Sequence, residues 1–412
     1  MLEPLNSRIP GLVLAGIMLF TAVTASAPRT DPETNVIRLL HIGKAWYRPG
    51  NPGPTFLQDP RIDWNPVPAH AWSMGEEAFR MLRLYLPRSK NRFLDEFDVV
   101  AIGGMEALHL RPDFQAWLKE GMEQEGIGLV MSDDSSSFGT SGSHTSWYVV
   151  PLGDLLPVDD KPVGGSPYGD EVAFHVVPVI PGHEFTRNIP WEEVWFEANN
   201  RPWPKPGSTT VTRMSEEHAL NRNKVQMVYW DLGSAEGRSV AWIHAWNYSP
   251  DFWRWRFAHD VIAHVIYFTA RFPIPEDLVL IHTIRNRIRD YYFSRLYALS
   301  TIEFADKFKA NIRPVEVMLE EAEEKKRESD RLFLDQDYEQ SASVMDALLA
   351  DIQEIIDEAV RAKDRAMIWL FAIEWLAVSA TSLLTGALIW TLMVRRRLYR
   401  EVGETRLRAR NS

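Results

Sequence analysis

From Trp375 to Val394 the chain runs WLAVSATSLLTGALIWTLMV, twenty residues without a charge, and Arg395, Arg396 and Arg397 follow at once. A helix rises about 1.5 Å per residue, so this run matches a hydrocarbon core of roughly 30 Å and reads as a transmembrane helix. Everything before it is then tethered. The residues after Val394 carry Arg395, Arg396, Arg397, Arg400, Arg406, Arg408 and Arg410 against Glu401 and Glu404. Under the positive-inside rule this tail is cytoplasmic and the large N-terminal portion lies on the other side. Glu374 sits at the outer margin of the apolar run, where a carboxylate can reach the headgroups.

At the other end, Gly11 to Ala27 is an apolar run preceded by Arg8 and finished by small residues, the shape of a secretory signal. Cleavage after Ala25 or Ala27 fits, although Pro28 hinders the second site. The weakly basic start also fits an uncleaved signal anchor.

About 340 residues lie between the two membrane signals, enough for one large or two ordinary domains. The chain has no cysteine, so an exported portion is stabilised by packing alone, and thiol catalysis and Cys-ligated metals are excluded. A net charge of −11 argues against nucleic acid as a partner.

The first half alternates short apolar runs with amphipathic ones. Strands are expected at Val36 to Ile42, Val99 to Ile102 and Ile127 to Met131, and helices at Met74 to Leu86 and Pro112 to Glu125, with a long loop over Lys44 to Pro68. This alternation predicts an α/β domain with a parallel sheet wound on both faces. Trp147 to Leu156, Val172 to Val179 and Trp191 to Phe196 read as extended segments. Lys224 to Asp231 and Arg238 to Ala245 read as a hairpin, and Phe252 to Phe272 as one aromatic-rich helix.

After Pro275 the pattern turns wholly helical. Glu276 to Ile312, Pro314 to Leu334 and a third helix from about Tyr338 suggest a hairpin or small bundle, read as a stalk. The charged stretch Glu320 to Arg331 is a solvated helix face. The expected organisation is a signal over 1–27, an α/β domain over 28–272, a long-helix hairpin stalk over 273–365, a transmembrane region over 366–394 and a basic tail over 395–412.

Phe97 to Gly104 (FDVVAIGG), an amphipathic helix, and Gly126 to Gly139 (GIGLVMSDDSSSFG) together resemble the class I glutamine amidotransferase-like fold, in particular its membrane-associated members without the catalytic Cys. LPVDDKPV at Leu156 to Val163 and EGRSVAWIHAWNYSPDFW at Glu236 to Trp253 resemble later segments of that group. The resemblance covers Val36 to Phe272 and implies a flavodoxin-like parallel sheet; it carries no catalytic assignment. Family enzymes use a Cys on a sharp strand-to-helix turn. With no Cys here, glutamine hydrolysis by that route is excluded.

Ser132 falls near the nucleophile position and Gly103 and Gly104 near the oxyanion loop, so a serine variant is one reading. Against it, Met131 and Asp133 replace the turn glycines, and a carboxylate beside the nucleophile opposes a developing oxyanion. The other reading makes Ser132 a turn or capping residue. Asp133 and Asp134, with the serines that follow, stand at the carboxyl end of a parallel strand, where open α/β sheets collect ligands; they could hold a hard cation, bond a sugar or amine, or be solvated. No histidine pair has a metal spacing: His259 and His264 are five apart, about 140° around a helix. His41, His70 and His144 are placed to approach that same edge, and His244 reads as a core histidine. Trp46, Tyr47, Trp64 and Trp72 follow the first strand, either as core or as a platform for a carbohydrate ring. No cofactor motif stands out. The resulting expectation is a noncatalytic binding or scaffolding module for a carbohydrate or protein partner, with Gly103, Gly104, Ser132, Asp133, Asp134, His144 and Trp46 as candidate ligand contacts. A hydrolase using Ser132 or an Asp133/Asp134 metal, and a membrane-complex subunit acting through its stalk, are the alternatives.

Overall fold

The computed structural model describes residues 28–410 except 32, 47–49, 70–74, 106, 134–137, 139–146, 160–171, 199, 218–221, 234, 236 and 246–249. The apolar run from Gly11 to Ala27 lies outside the described residues.

The head opens with β1 (Ile37–Gly43), α1 (Gly53–Leu57), β2 (Ile62–Val67), α2 (Gly75–Tyr85), α3 (Lys90–Glu96), β3 (Val99–Gly103), α4 (Pro112–Gln124) and β4 (Gly128–Asp133). It continues through β5 (Val158–Asp159), β6 (Val172–Phe174), β7 (Val176–Pro178), β8 (Phe196–Ala198), β9 (Trp203–Pro204), β10 (Thr209–Met214), β11 (Val225–Leu232) and β12 (Gly237–Ala245), then α5 (Pro250–Arg254) and α6 (Ala258–Thr269). Eight strands form one sheet in the order β2-β1-β3-β4-β12-β11-β10-β7. The five from β2 to β12 are parallel, whereas β11, β10 and β7 add antiparallel pairings.

The class is α/β, as the alternation implies, but the sheet is mixed rather than wholly parallel. The cause is local. The few residues between β11 and β12 can only reverse the chain, so β11 must pair antiparallel with β12 and carries β10 and β7 with it. That turn is packed tightly: Gly233 has φ +70°, and a Cβ there would lie 2.2 Å from the Glu123 carbonyl oxygen.

Four further expectations need correcting. Lys44 to Pro68 is not one long loop but holds α1 and the edge strand β2, in which Pro66 is tolerated because only β1 pairs with it. Neither Trp147 to Leu156 nor the first half of Trp191 to Phe196 is extended: 3-10 turns form at Trp147–Val149, Pro151–Leu155 and Trp191–Glu193. Phe252 to Phe272 is not one helix, since α5 and α6 are separate elements.

Right-handed crossovers place α1, leading leftward from β1 to β2, on the opposite face from the helices that lead rightward to β3 and β4. α6 joins α1: the two pack together, and α6 lies on β4 and β12. Gly128 makes that approach possible, because a Cβ there would meet Thr269 Cγ2 at 2.6 Å. On the other face α4 lies against α3 and β12.

Beyond Pro275 come α7 (Leu278–Lys307), α8 (Arg313–Leu334) and α9 (Tyr338–Arg410). Asp277 caps α7 by accepting from the Leu280 amide at 2.9 Å. α7 runs away from the head, α8 returns and α9 runs away again. Ile288, Tyr291, Leu319, Phe333, Met345, Leu348, Ile352 and Ile355 fill a separate core between them. The hairpin of α8 and α9 is thus completed by α7 into a three-helix bundle.

The bundle docks on the α1–α6 face through buried charge. Arg285 donates to Asp59 from Nε at 2.9 Å and to Asp260 from Nη1 at 2.7 Å, and the Tyr267 hydroxyl donates to Asp59 at 2.8 Å. His282 Nδ1 lies 2.8 Å from the other Asp260 oxygen. Beside them Arg61, buried under Phe272, donates to the Phe333 and Leu334 carbonyls that end α8.

α9 spans 73 residues without a break. Its C-terminal half leaves the bundle, and residues such as Ile368, Trp375, Leu383 and Trp390 are exposed in the isolated chain. Among the described residues it is the one helix long and apolar enough to cross a membrane.

Candidate functional site

In an open α/β sheet the ligand crevice forms beyond the carboxyl ends of the parallel strands, where successive connections leave in opposite directions. Here that point lies between β1 and β3. Gly43 and Gly103 face each other across the pair, and the Lys44 amide donates to the Gly103 carbonyl at 2.8 Å. Gly43 has φ +105°, and a Cβ on it would lie 2.0 Å from the Gly103 oxygen, so no side chain fits. Gly104 follows in the left-handed region, φ +65°. The Trp147 indole then fixes the next residue by donating to the Met105 carbonyl at 3.0 Å.

His41, two residues before Gly43, is fully buried. Trp64 Nε1 donates to its Nδ1 at 3.2 Å, and Phe56 meets the ring edge-on at 5.6 Å. An acceptor Nδ1 requires the neutral tautomer protonated at Nε2, in keeping with burial, which pushes the pKa down to about 3. Trp46 is half-buried and leans on the start of α1: a Cβ at Gly53 would lie 2.5 Å from the Trp46 carbonyl and 2.8 Å from Trp64 Cη2. Tyr47, His70 and Trp72 lie outside the described residues.

Ser132 occupies β4, paired with Trp242 on β12. It is 0% exposed and its Oγ has no hydrogen-bond partner, so no described imidazole takes its proton. Asp133 ends the strand opposite Ala245, after an irregularity in β12. Asp134 and His144 lie outside the described residues. His244, on β12, is 0% exposed with Phe252 at 4.3 Å and Phe196 at 5.2 Å. It is a core histidine, as expected, but an unsatisfied one: neither ring nitrogen has a partner, and burial lowers its pKa to about 3.

The fold therefore brings Gly103, Gly104 and Trp46 to one edge with His41 and Trp64, while Ser132 sits inside the adjacent strand. Two residues at this edge escaped the sequence reading. Gly43 gave a signal, as a glycine ending an apolar run, but its contact with Gly103 is set by tertiary register. Lys44 is 1% exposed, an unusual burial for an ammonium, and nothing in the local pattern distinguishes it from a loop lysine. Among the described residues no group of three or more histidines and acids is arranged to hold a metal. The described part of the edge is thus close-packed backbone backed by a neutral buried imidazole, with two indoles and the buried Lys44 beside it. No protein-family model matches the chain, and no curated protein matches it either.

Proposed function

We propose that this chain is a single-pass membrane protein whose class I glutamine amidotransferase-like head stands outside the cytoplasm as a noncatalytic binding or scaffolding module for a carbohydrate or protein partner. The observation that carries this reading is Ser132. Near the position where enzymes of that group hold their nucleophile, the hydroxyl is buried and has no base bonded to it among the described residues, and the chain has no cysteine. A nucleophile needs a base within direct or one-water reach.

The likeness to a flavodoxin-like sheet draws support from the order β2-β1-β3-β4-β12, which matches the doubly wound order 2-1-3-4-5 with its ligand crevice between the first and third strands. The basic residues after Val394 support a cytoplasmic tail. A second reading, a membrane-complex subunit acting through the stalk, draws on α7, where Tyr292, Phe293, Leu296, Tyr297 and Phe304 form an exposed apolar stripe.

One preparation of full-length protein in detergent tests both. No turnover of generic ester, amide or glycoside substrates is expected; turnover that Ser132→Ala or Asp133→Ala abolishes would overturn the noncatalytic reading. Incubated with immobilised oligosaccharides and with cross-linked membrane extract, the wild type should retain a species that Trp46→Ala loses. Retention by Trp46→Ala, with loss in Phe293→Ser/Leu296→Ser, would favour the stalk instead.

A further inference from the structure

At the end of the bundle farthest from the head, the turn between α7 and α8 meets α9. A cavity of about 560 Å³ lies between them, walled by Phe308, Pro314, Ala362, Trp369 and Ile373 and open beside Lys309 and Arg365. Its height relative to a bilayer follows from α9. From Ala366 to Val394 the helix carries one charge, Glu374, and at 1.5 Å per residue this stretch is about 42 Å long. That equals the roughly 40–45 Å of a bilayer with its headgroup layers. On α9 the cavity runs from Glu358, outside this stretch, to Ile373, inside it, and so reaches headgroup depth.

Its charge is uneven. Glu358 is bound by both Arg361, at 2.8 Å, and Arg365, at 2.5 Å. Lys307 pairs with Glu303 and Lys363 with Asp364. Lys309 is exposed and has no ion pair among the described residues. Along the cavity wall two cations, Lys309 and Arg365, thus stand against one carboxylate, Glu358, which Arg361 from outside the lining also neutralises. Lys309 also has φ +58° where α7 ends, a position glycine fills at lower cost, with its amide on the Asp306 carbonyl at 2.8 Å.

We propose that this cavity holds one anionic phospholipid from the leaflet on which the bundle stands, the phosphate at Lys309 and Arg365 and an acyl chain along Trp369 and Ile373. A phosphodiester suits the surplus of positive charge, and an acyl chain suits walls continuous with the membrane helix. The inference rests on the reading of α9 as a membrane span.

Native mass spectrometry of the full chain, released from detergent in the presence of equal phosphatidylglycerol and phosphatidylcholine of matched chain length, tests it. One phosphatidylglycerol should remain bound in at least about tenfold preference, a difference of about 1.4 kcal/mol. Lys309→Glu and the cavity-filling Ala366→Trp should each reduce that retention about tenfold with helical content unchanged, and millimolar glycerol phosphate should not compete. Equal retention of the two lipids, full retention in Ala366→Trp, or displacement by glycerol phosphate would overturn the inference. Flotation with liposomes separates the two claims: a wild type that fails to float would instead defeat the membrane span beneath it.

Discussion

His264 on α6 and His244 on β12 are 2% and 0% exposed, and neither has a hydrogen-bond partner at either ring nitrogen. Burial lowers both pKa values to about 3, as it does for His41. An unfolded histidine titrates near 6.5, so between about pH 6.5 and 3 the unfolded chain binds more protons than the folded one. The stabilisation from neutral burial is therefore complete above pH 6.5 and is lost as pH falls. Asp260 acts in the same direction at lower pH: burial would raise its pKa, but the His282 hydrogen bond and Arg285 bring it below the usual value. Thermal melts should show the head losing about 2 kcal/mol per buried histidine between pH 6.5 and 5. His264→Phe should flatten that slope, and a stability that held or rose on acidification would contradict the burial argument.

The elements most legible in the sequence are those whose burial is uniform. β3 is a continuous apolar run and β1 and β4 are mostly apolar ones, buried on both faces, and α4 repeats Phe114, Leu118 and Met122 at helical spacing. β2 was not legible, because its sequence IDWNPV carries Pro and alternating polar residues that only an edge position tolerates. Of the short strands, β6 and β7 fall within Val172 to Val179, whose β-branched residues marked it as extended, whereas β5, β8 and β9 are too short to express a periodicity. At the site, Gly103 and Gly104 could be recognised as a glycine pair ending a strand, whereas Lys44 and the His41–Trp64 bond depend on which strands become neighbours. The junction of head and bundle was equally hidden: Asp59, Asp260 and Arg285 are far apart in the chain, and each is ordinary alone. Removing one member of a buried ion network strands the others, at about 3–5 kcal/mol. Arg285→Met should accordingly lower the Tm sharply and expose Asp59 and Asp260 to exchange-competent solvent, seen as faster hydrogen exchange in α6 and the first turns of α7. Unchanged protection there would show that apolar packing alone joins bundle to head.

At the scale of the whole molecule, the sheet carries the α1–α6 layer on one face, the three-helix bundle docks on that layer, and α9 passes from the bundle into its apolar half without a break. A head carried this way is held at a fixed height, with buried charge at one joint and an unbroken helix at the other. Because the chain has no cysteine, single cysteines report topology without a background. The most direct test places one at Leu108, 64% exposed on the head, or at Tyr399, 77% exposed beyond the apolar run, and applies a membrane-impermeant maleimide to intact cells. Leu108→Cys should be labelled at once and Tyr399→Cys only after permeabilisation; the reverse pattern, or equal labelling of both, would contradict a head outside the cytoplasm with a cytoplasmic tail.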